Sequence, residues 1–260
     1  MTTTGADSSA QSNSAAAKTG SAGGFSRVLL KVSGEAFCKP GEFGIDSEEL
    51  ELIAREIAEA AQVGAQLAVV VGGGNIIRGA SLAMEGQIAQ ATGDYMGMLG
   101  TVINGLALKE MLEQIGQPAR VMSAINLSAV AEPFIRGRAL RHLEKGRVII
   151  FVAGTGNPFC TTDSAASLRA AEIGADVVLK ATKVDGIYDK DPMKHDDAVK
   201  YDQITFDDAL EQQLGVMDLG AFDMCRTQGI PILVFNMKEP GHIRDVVSGA
   251  EHGTRVVVKK

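Results

Sequence analysis

Three apolar segments of this chain each run into a loop of small residues, and that pairing limits the fold more than any other feature. Val28 to Val32 ends in Lys31-Val32-Ser33-Gly34, Leu67 to Val71 in Gly72-Gly73-Gly74-Asn75, and Val148 to Val152 in a loop containing Gly154-Thr155-Gly156-Asn157-Pro158. Segments rich in β-branched residues with no polar alternation read as strands buried on both faces, as in a parallel sheet. A strand that passes through a glycine turn into a helix exposes backbone N–H groups at the helix start, where an anion is favoured. None of the loops is a Walker A sequence. Three such corners in one sheet point to two phosphorylated ligands meeting at a shared edge.

Strand and helix patterns alternate along the rest of the chain, which predicts a three-layer αβα sandwich around a central, mainly parallel sheet. Asp46 and Glu49 resemble a capping box, and Leu50, Ile53, Ile57 and Ala61 repeat at helical spacing before Gly64. A long helix is expected from about Asp94 to Ile115, apolar on most faces and therefore either deeply buried or packed on another subunit. Its methionines read as packing. Pro133 to Lys145 reads as a helix opened by proline, and Asp163 to Ile173 as the helix leaving the third loop. The polar stretch from Thr182 to Asp202 reads as a functional loop. Residues 1–24, mostly Ala, Ser, Thr and Gly, read as a disordered tail, and 25–260 as one domain.

Charge and cysteine content narrow the function. A net charge of −7 does not suit a protein that coats nucleic acid, so a polyanionic ligand must be met by local basic groups. Cys38, Cys160 and Cys225 are widely spaced without a Cys-x-x-Cys pair, and no histidine stands at metal-ligand spacing. A reducing, cytoplasmic setting is expected. Cys160 reads as a loop-lining thiol rather than a nucleophile. No apolar run approaches the ~20 residues needed to span a bilayer.

Phosphoryl transfer requires phosphates held in line and negative charge neutralised in a dry site. Lys31, Arg78 and Lys183 are the candidate cations; Asp163, Asp94 and Asp185 are candidate orienting or metal-binding carboxylates. Lys31 stands at the C-terminal end of the first strand, where ligands collect in open α/β sheets. Three consecutive glycines imply that a phosphate or another backbone comes close, and Arg78 could grip a phosphate with its planar fork. Asp163 is either only the N-cap of its helix or also positions Lys31. Asp94 is either a cap or a partner for a ribose hydroxyl.

In order and spacing, Leu30-Lys31-Val32-Ser33-Gly34-Glu35-Ala36, Gly72-Gly73-Gly74-Asn75 to Arg78, Gly93-Asp94-Tyr95-Met96-Gly97-Met98, Ala153-Gly154-Thr155-Gly156-Asn157-Pro158-Phe159 to Asp163, and Lys180-Ala181-Thr182-Lys183-Val184-Asp185-Gly186 resemble the bacterial uridylate kinases of the amino acid kinase superfamily. The resemblance covers about residues 25 to 258. It implies the amino acid kinase fold and Mg²⁺-dependent phosphorylation of UMP to UDP by ATP. It also implies catalytic roles for Lys31, Arg78 and Asp163, the last organising the catalytic lysine. ATP would be held by Lys31, Val32, Ser33, Gly34, Gly74 and Arg78, with Thr182, Tyr188 and Asp191 at its nucleoside. UMP would be held by Gly73, Asp94, Thr155, Gly156, Asn157, Pro158, Phe159, Cys160, Thr161 and Thr162. The resemblance further implies a homohexamer activated by GTP and inhibited by UTP, with Lys109, Arg120 and Arg147 as basic positions for an effector. Metal ligands are not assigned.

Three other readings share some of these features. A superfamily relative that phosphorylates a carboxylate or carbamate would need Lys31 and the glycine loops but not Asp94. A noncatalytic nucleotide sensor would most naturally have lost Lys31 or Asp163. An NAD-binding reading lacks Gly-x-Gly-x-x-Gly after the first strand.

Overall fold

The computed structural model describes residues 24–77, 86, 88–182, 184–237 and 239–259. Arg78, Lys183 and residues 1–23 of the expected tail lie outside these.

The first strand, β1 (Arg27–Val32), leads into a 3-10 turn at Gly34–Phe37 and then α1 (Ser47–Gln62) and β2 (Gln66–Val71). Next come α2 (Gln90–Gln114), β3 (Ala119–Ser123), the short β4 (Glu132–Pro133), α3 (Arg136–Glu144) and β5 (Val148–Val152). The chain continues through α4 (Thr162–Ile173), β6 (Val177–Thr182), a two-stranded ribbon of β7 (Ile187–Tyr188) and β8 (Lys200–Tyr201), and β9 (Gln203–Thr205). It closes with α5 (Phe206–Glu211), α6 (Leu219–Gln228), β10 (Ile232–Asn236), α7 (His242–Val247) and β11 (Thr254–Val257).

Nine strands form the central sheet in the order β4-β3-β5-β2-β1-β6-β10-β11-β9, and every pairing is parallel except β10 with β11. This is the α/β sandwich the sequence predicts. Alternation along the central strands splits the core into two layers. Val28, Leu30 and Val32 of β1 and Val177, Leu179 and Ala181 of β6 pack with α1 and α2. Leu29 and Val178 pack on the other face with α4 and α6. Lys31 continues that second register and is therefore aimed at α4.

Three boundaries differ from expectation. Asp46 does cap α1, accepting from the N–H groups of Glu48 and Glu49, but α2 begins at Gln90, so Asp94 lies inside the helix and is not its cap. Pro133 stands in β4, paired beside Ser123, and α3 starts only at Arg136. A proline can end a short edge strand as readily as open a helix, because its missing N–H costs little in either place. Finally, Thr161 caps α4 rather than Asp163. Thr161 Oγ1 accepts from the N–H groups of Asp163 and Ser164, which leaves the Asp163 carboxylate free for other partners.

Candidate active site

At the C-terminal edge of the sheet the first two glycine loops touch each other. A Cβ on Gly72 would stand 2.5 Å from the Gly34 nitrogen, and one on Gly34 would stand 2.7 Å from the Gly74 nitrogen. Gly73 lies equally close to α2, where a Cβ would meet the Gly97 carbonyl oxygen at 2.6 Å and the Thr101 nitrogen at 2.8 Å. Gly74 differs, since nothing lies within 4 Å of its Cβ position and it borders open space. Two of the three glycines thus admit neighbouring backbone, and the third leaves room for a ligand.

A buried amide pair braces this loop. Asn104 of α2 donates to Gly72 O and Asn75 Oδ1, both at 2.7 Å, while Asn75 donates to Gly44 O at 2.7 Å. Because both amides are almost fully buried, losing either would strand its partner's polar atoms at about 1–3 kcal/mol. Gly73→Ala is therefore expected to destabilise the fold by about 2 kcal/mol through forced overpacking. Gly74→Ala should melt near the wild-type temperature yet impair turnover, and parallel melting curves and rate assays would distinguish the two.

A largely buried charge cluster sits where β1 and β6 end. Lys31 and Lys180 are register partners on these adjacent strands, and both reach one carboxylate at the start of α4. Lys31 Nζ is 2.8 Å from Asp163 Oδ1, and Lys180 Nζ is 2.7 Å from Oδ2. The side chains are 12%, 15% and 13% exposed for Lys31, Lys180 and Asp163, so solvent screens them only partly. Burial pushes the Asp163 pKa up, but the two ammonium groups reverse this and hold it below the ordinary carboxylate value. Burial pushes the Lys180 pKa down, and sharing a single carboxylate with Lys31 leaves that fall only partly offset. Two cations and one anion leave a surplus positive charge. Such a surplus is suited to receive a phosphate.

Lys180, not among the cations expected from the sequence, completes the cluster. A signal was present: Val177–Thr182, read as VVLKAT, places a lysine in an otherwise apolar strand, as RVLLKV does for Lys31. Lys180 also donates to Val216 O, so the cluster is tied to the segment before α6.

The third loop holds left-handed backbone at Ala153, Gly154, Gly156 and Phe159. Ala153 and Phe159 are not glycine, and strain of this kind persists only where the surroundings impose it. Here Thr101 accepts from the Ala153 N–H at 2.7 Å, and Asp94 Oδ2 accepts from the Phe159 N–H at 2.8 Å. Asp218, the N-cap of α6, accepts from the hydroxyls of Thr161 and Ser164 and so ties this corner to the far helix.

Between the three loops lies a cavity of about 450 Å³. Ser33, Gly34, Gly73, Gly74, Asp94, Thr155, Cys160, Thr161 and Thr162 line it, which brings together residues expected at both substrates. Gly156, Asn157, Pro158 and Phe159 are not among its lining residues. Phe159 is 72% exposed, and the Gly156 backbone packs on Ala124. Val32 is fully buried in the core, so its backbone alone could serve a ligand. Thr182 borders a second cavity together with Lys31 and Ser33. Tyr188 and Asp191 line neither: the Tyr188 hydroxyl donates to Asp185 at 2.6 Å, and Asp191 accepts from the Met193 N–H. Of the basic effector candidates, Lys109 and Arg120 share a shallow depression and both bond Glu113, while Arg147 is joined to His142. Among the described residues no group of three or more His, Cys, Asp or Glu is arranged to hold a metal ion, and no helix is long and apolar enough to cross a membrane.

Known proteins of one family are similar to this chain. A model of the amino acid kinase family matches residues 26–236. Uridylate kinases from Xanthomonas campestris pv. campestris and Xanthomonas oryzae pv. oryzae are similar at 57% and 56% identity over 232 residues, which is 89% of this chain and 96% of each relative. The solved structure of UMP kinase from Bacillus anthracis is similar with a TM-score of 0.88 at 38% identity, covering 91% of this chain and 98% of that one. Uridylate kinase from Archaeoglobus fulgidus is similar with a TM-score of 0.68 at 29% identity, covering 88% and 99%.

Proposed function

The chain belongs to the amino acid kinase family, and from that premise we infer that it is a kinase that phosphorylates UMP with ATP, giving UDP and ADP. Its relatives at 56–57% identity over most of the chain are uridylate kinases. The observation that carries the mechanism is the pair of register-matched lysines sharing Asp163 beside a cavity lined by residues of both substrate sets.

In this reading the ATP phosphates lie against Lys31, Ser33, Gly34 and Gly74, and the nucleoside extends toward Thr182 and the segment carrying Tyr188 and Asp191. UMP lies between the second and third loops. Its phosphate oxygen forms the new bond to the γ-phosphorus as the bond from that phosphorus to the β,γ-bridging oxygen breaks, and the electron pair leaves on ADP. Lys31 and Lys180 neutralise charge that moves toward the bridging oxygen, and Asp163 holds both ammonium groups in place. Arg78 is proposed on sequence grounds as a further phosphate contact. Mg²⁺ would supply charge neutralisation on the nucleotide phosphates. The donor set fits an ion that arrives with ATP and keeps its waters, since Asp163 is already engaged by two lysines.

Asp94 keeps one carboxylate oxygen on the Phe159 N–H, which leaves the other for a ribose hydroxyl. An ADP-release assay with UMP, CMP, dUMP and acetylglutamate tests the assignment. UMP is expected to be turned over best, with dUMP poorer by about tenfold or more for the loss of one hydrogen bond to a charged group. Turnover of acetylglutamate alone would overturn the reading.

The same proposal includes a homohexamer in the cytoplasm, activated by GTP and inhibited by UTP. It is supported by Tyr95, Leu99 and Ile103, which leave an apolar stripe exposed along α2, and by the basic pair Lys109 and Arg120. Sedimentation of the protein with and without GTP would decide it, and a monomer under all conditions would remove this part.

A further inference from the structure

The segment that carries Tyr188 and Asp191, proposed above for the nucleoside of ATP, leaves the central sheet after Thr182 and returns to it at Gln203. Backbone bonds hold its two ends: the Met237 N–H donates to Thr182 O at 3.4 Å, and the Arg255 N–H donates to Asp202 O at 3.0 Å. Within the segment, Asp185 accepts from the Tyr188 hydroxyl at 2.6 Å and pairs with Lys200 at 3.1 Å. Those two bonds join one part of the segment to another and do not fix it to the core.

Thr254, which opens β11 and is fully buried, reaches the middle of the segment. Its Oγ1 accepts from the Ile187 N–H at 2.8 Å and donates to Tyr201 O. Ile187 and Tyr201 are register partners in the β7–β8 ribbon, so one hydroxyl grips both strands at the same rung. In the sheet Thr254 pairs with Val234, Val234 with Lys180, and Lys180 with Lys31. The grip therefore lies in the same row of the sheet as the two lysines. Gly186 makes room for it, since a Cβ there would stand 2.6 Å from Thr254 Oγ1 and 2.9 Å from Lys200 Cδ.

We propose that Thr254 is a positioning residue for ATP. Its hydroxyl holds the ribbon, and with it Tyr188 and Asp191, in fixed register with Lys31 and Lys180. This rests on the ATP side of the site as proposed above. Without the hydroxyl the buried Ile187 N–H loses its acceptor and the Tyr201 carbonyl its donor, and both groups turn toward water to recover a partner. ATP would then have to order the ribbon as it binds, at a cost in affinity. UMP, between the second and third loops, would bind as before.

Thr254→Val removes the hydroxyl and keeps the shape, and Thr254→Ser restores it. In initial-rate assays Thr254→Val is expected to raise the KM for ATP at least tenfold, with the KM for UMP and kcat at saturating ATP within threefold of wild type. Thr254→Ser should stay within threefold in all three. Hydrogen exchange at the Ile187 amide should quicken in the valine variant and not in the serine variant. An unchanged KM for ATP in Thr254→Val, an equal rise in both KM values, or a serine variant as impaired as the valine one would each overturn the proposal. If Thr254→Val does not fold, Gly186→Ala, whose Cβ presses on the same hydroxyl from the ribbon side, carries the test. A folded Gly186→Ala protein with wild-type KM for ATP would then overturn it. Wild-type protein that binds ATP without turning over UMP would remove the kinase assignment instead, and calorimetric titration with ATP would still read the clamp as a tenfold or greater difference in Kd between the valine and serine variants.

Discussion

Replacing Lys31 with alanine is expected to lower kcat for UMP by about a hundredfold or more while the protein still folds. Lys31 leads directly into the first glycine loop and holds Asp163 at 2.8 Å. Removing a preorganised donor that meets developing charge costs about 3 kcal/mol in comparable sites. The fold should survive because Asp163 keeps Lys180 at 2.7 Å, so no buried charge is left alone. The measurement is initial-rate ADP release at saturating ATP and UMP, alongside a melting curve. Near-normal kcat in a folded variant would refute the catalytic role. A rise in the KM for ATP without loss of kcat would instead make Lys31 a ground-state phosphate contact.

Asp163→Asn should be the more damaging change, because it removes the carboxylate that the structure places on both lysines. Leaving buried charge uncompensated costs about 3–5 kcal/mol, and the two ammonium groups would then repel each other. Turnover is expected to fall at least as far as in Lys31→Ala, and melting temperature should fall as well. The pH dependence separates this from simple damage. In the wild type the folded Asp163 pKa is depressed, because the two lysines outweigh the effect of burial. Its stabilising contribution is therefore complete above the unfolded carboxylate pKa and is lost as pH falls through the folded value. The variant should lack that acid-side loss. It should instead gain stability as pH rises, since the Lys180 pKa, already lowered by burial, falls further without Asp163. A group with a depressed folded pKa makes the fold more stable once its proton is gone. Melting curves across pH that run parallel for both proteins would sink this account.

The two lysines show why part of the site could be read directly and part could not. Lys31 was visible because its strand hands over at once to Ser33-Gly34, and local chemistry announces a phosphate corner. Lys180 carries no such neighbour, and its meaning comes from lying beside Lys31 in the sheet. Nothing in the spacing of 149 residues states that alignment. Asp163 suits a helix cap because aspartate favours that position, yet Thr161 takes it, and tertiary contact with two strands gives the carboxylate its task. The glycine run implies a close approach, but only the fold separates Gly73, pressed on α2, from Gly74, open to the cavity. Pro133 misled because its local preference suits a helix start and an edge strand alike.

Buried strands written as continuous β-branched runs, the glycine corners that follow them, and the residue order shared with a family were enough to settle the layered α/β architecture and a nucleotide kinase chemistry. These are properties of short windows, where backbone preference and solvent avoidance act between near neighbours. Which strand lies beside which, and so which charges share one carboxylate and which walls close a second cavity, depends on contacts between residues far apart in the chain. Those contacts exist only after the helices have packed on both faces of the sheet, and their geometry is a property of the assembled core.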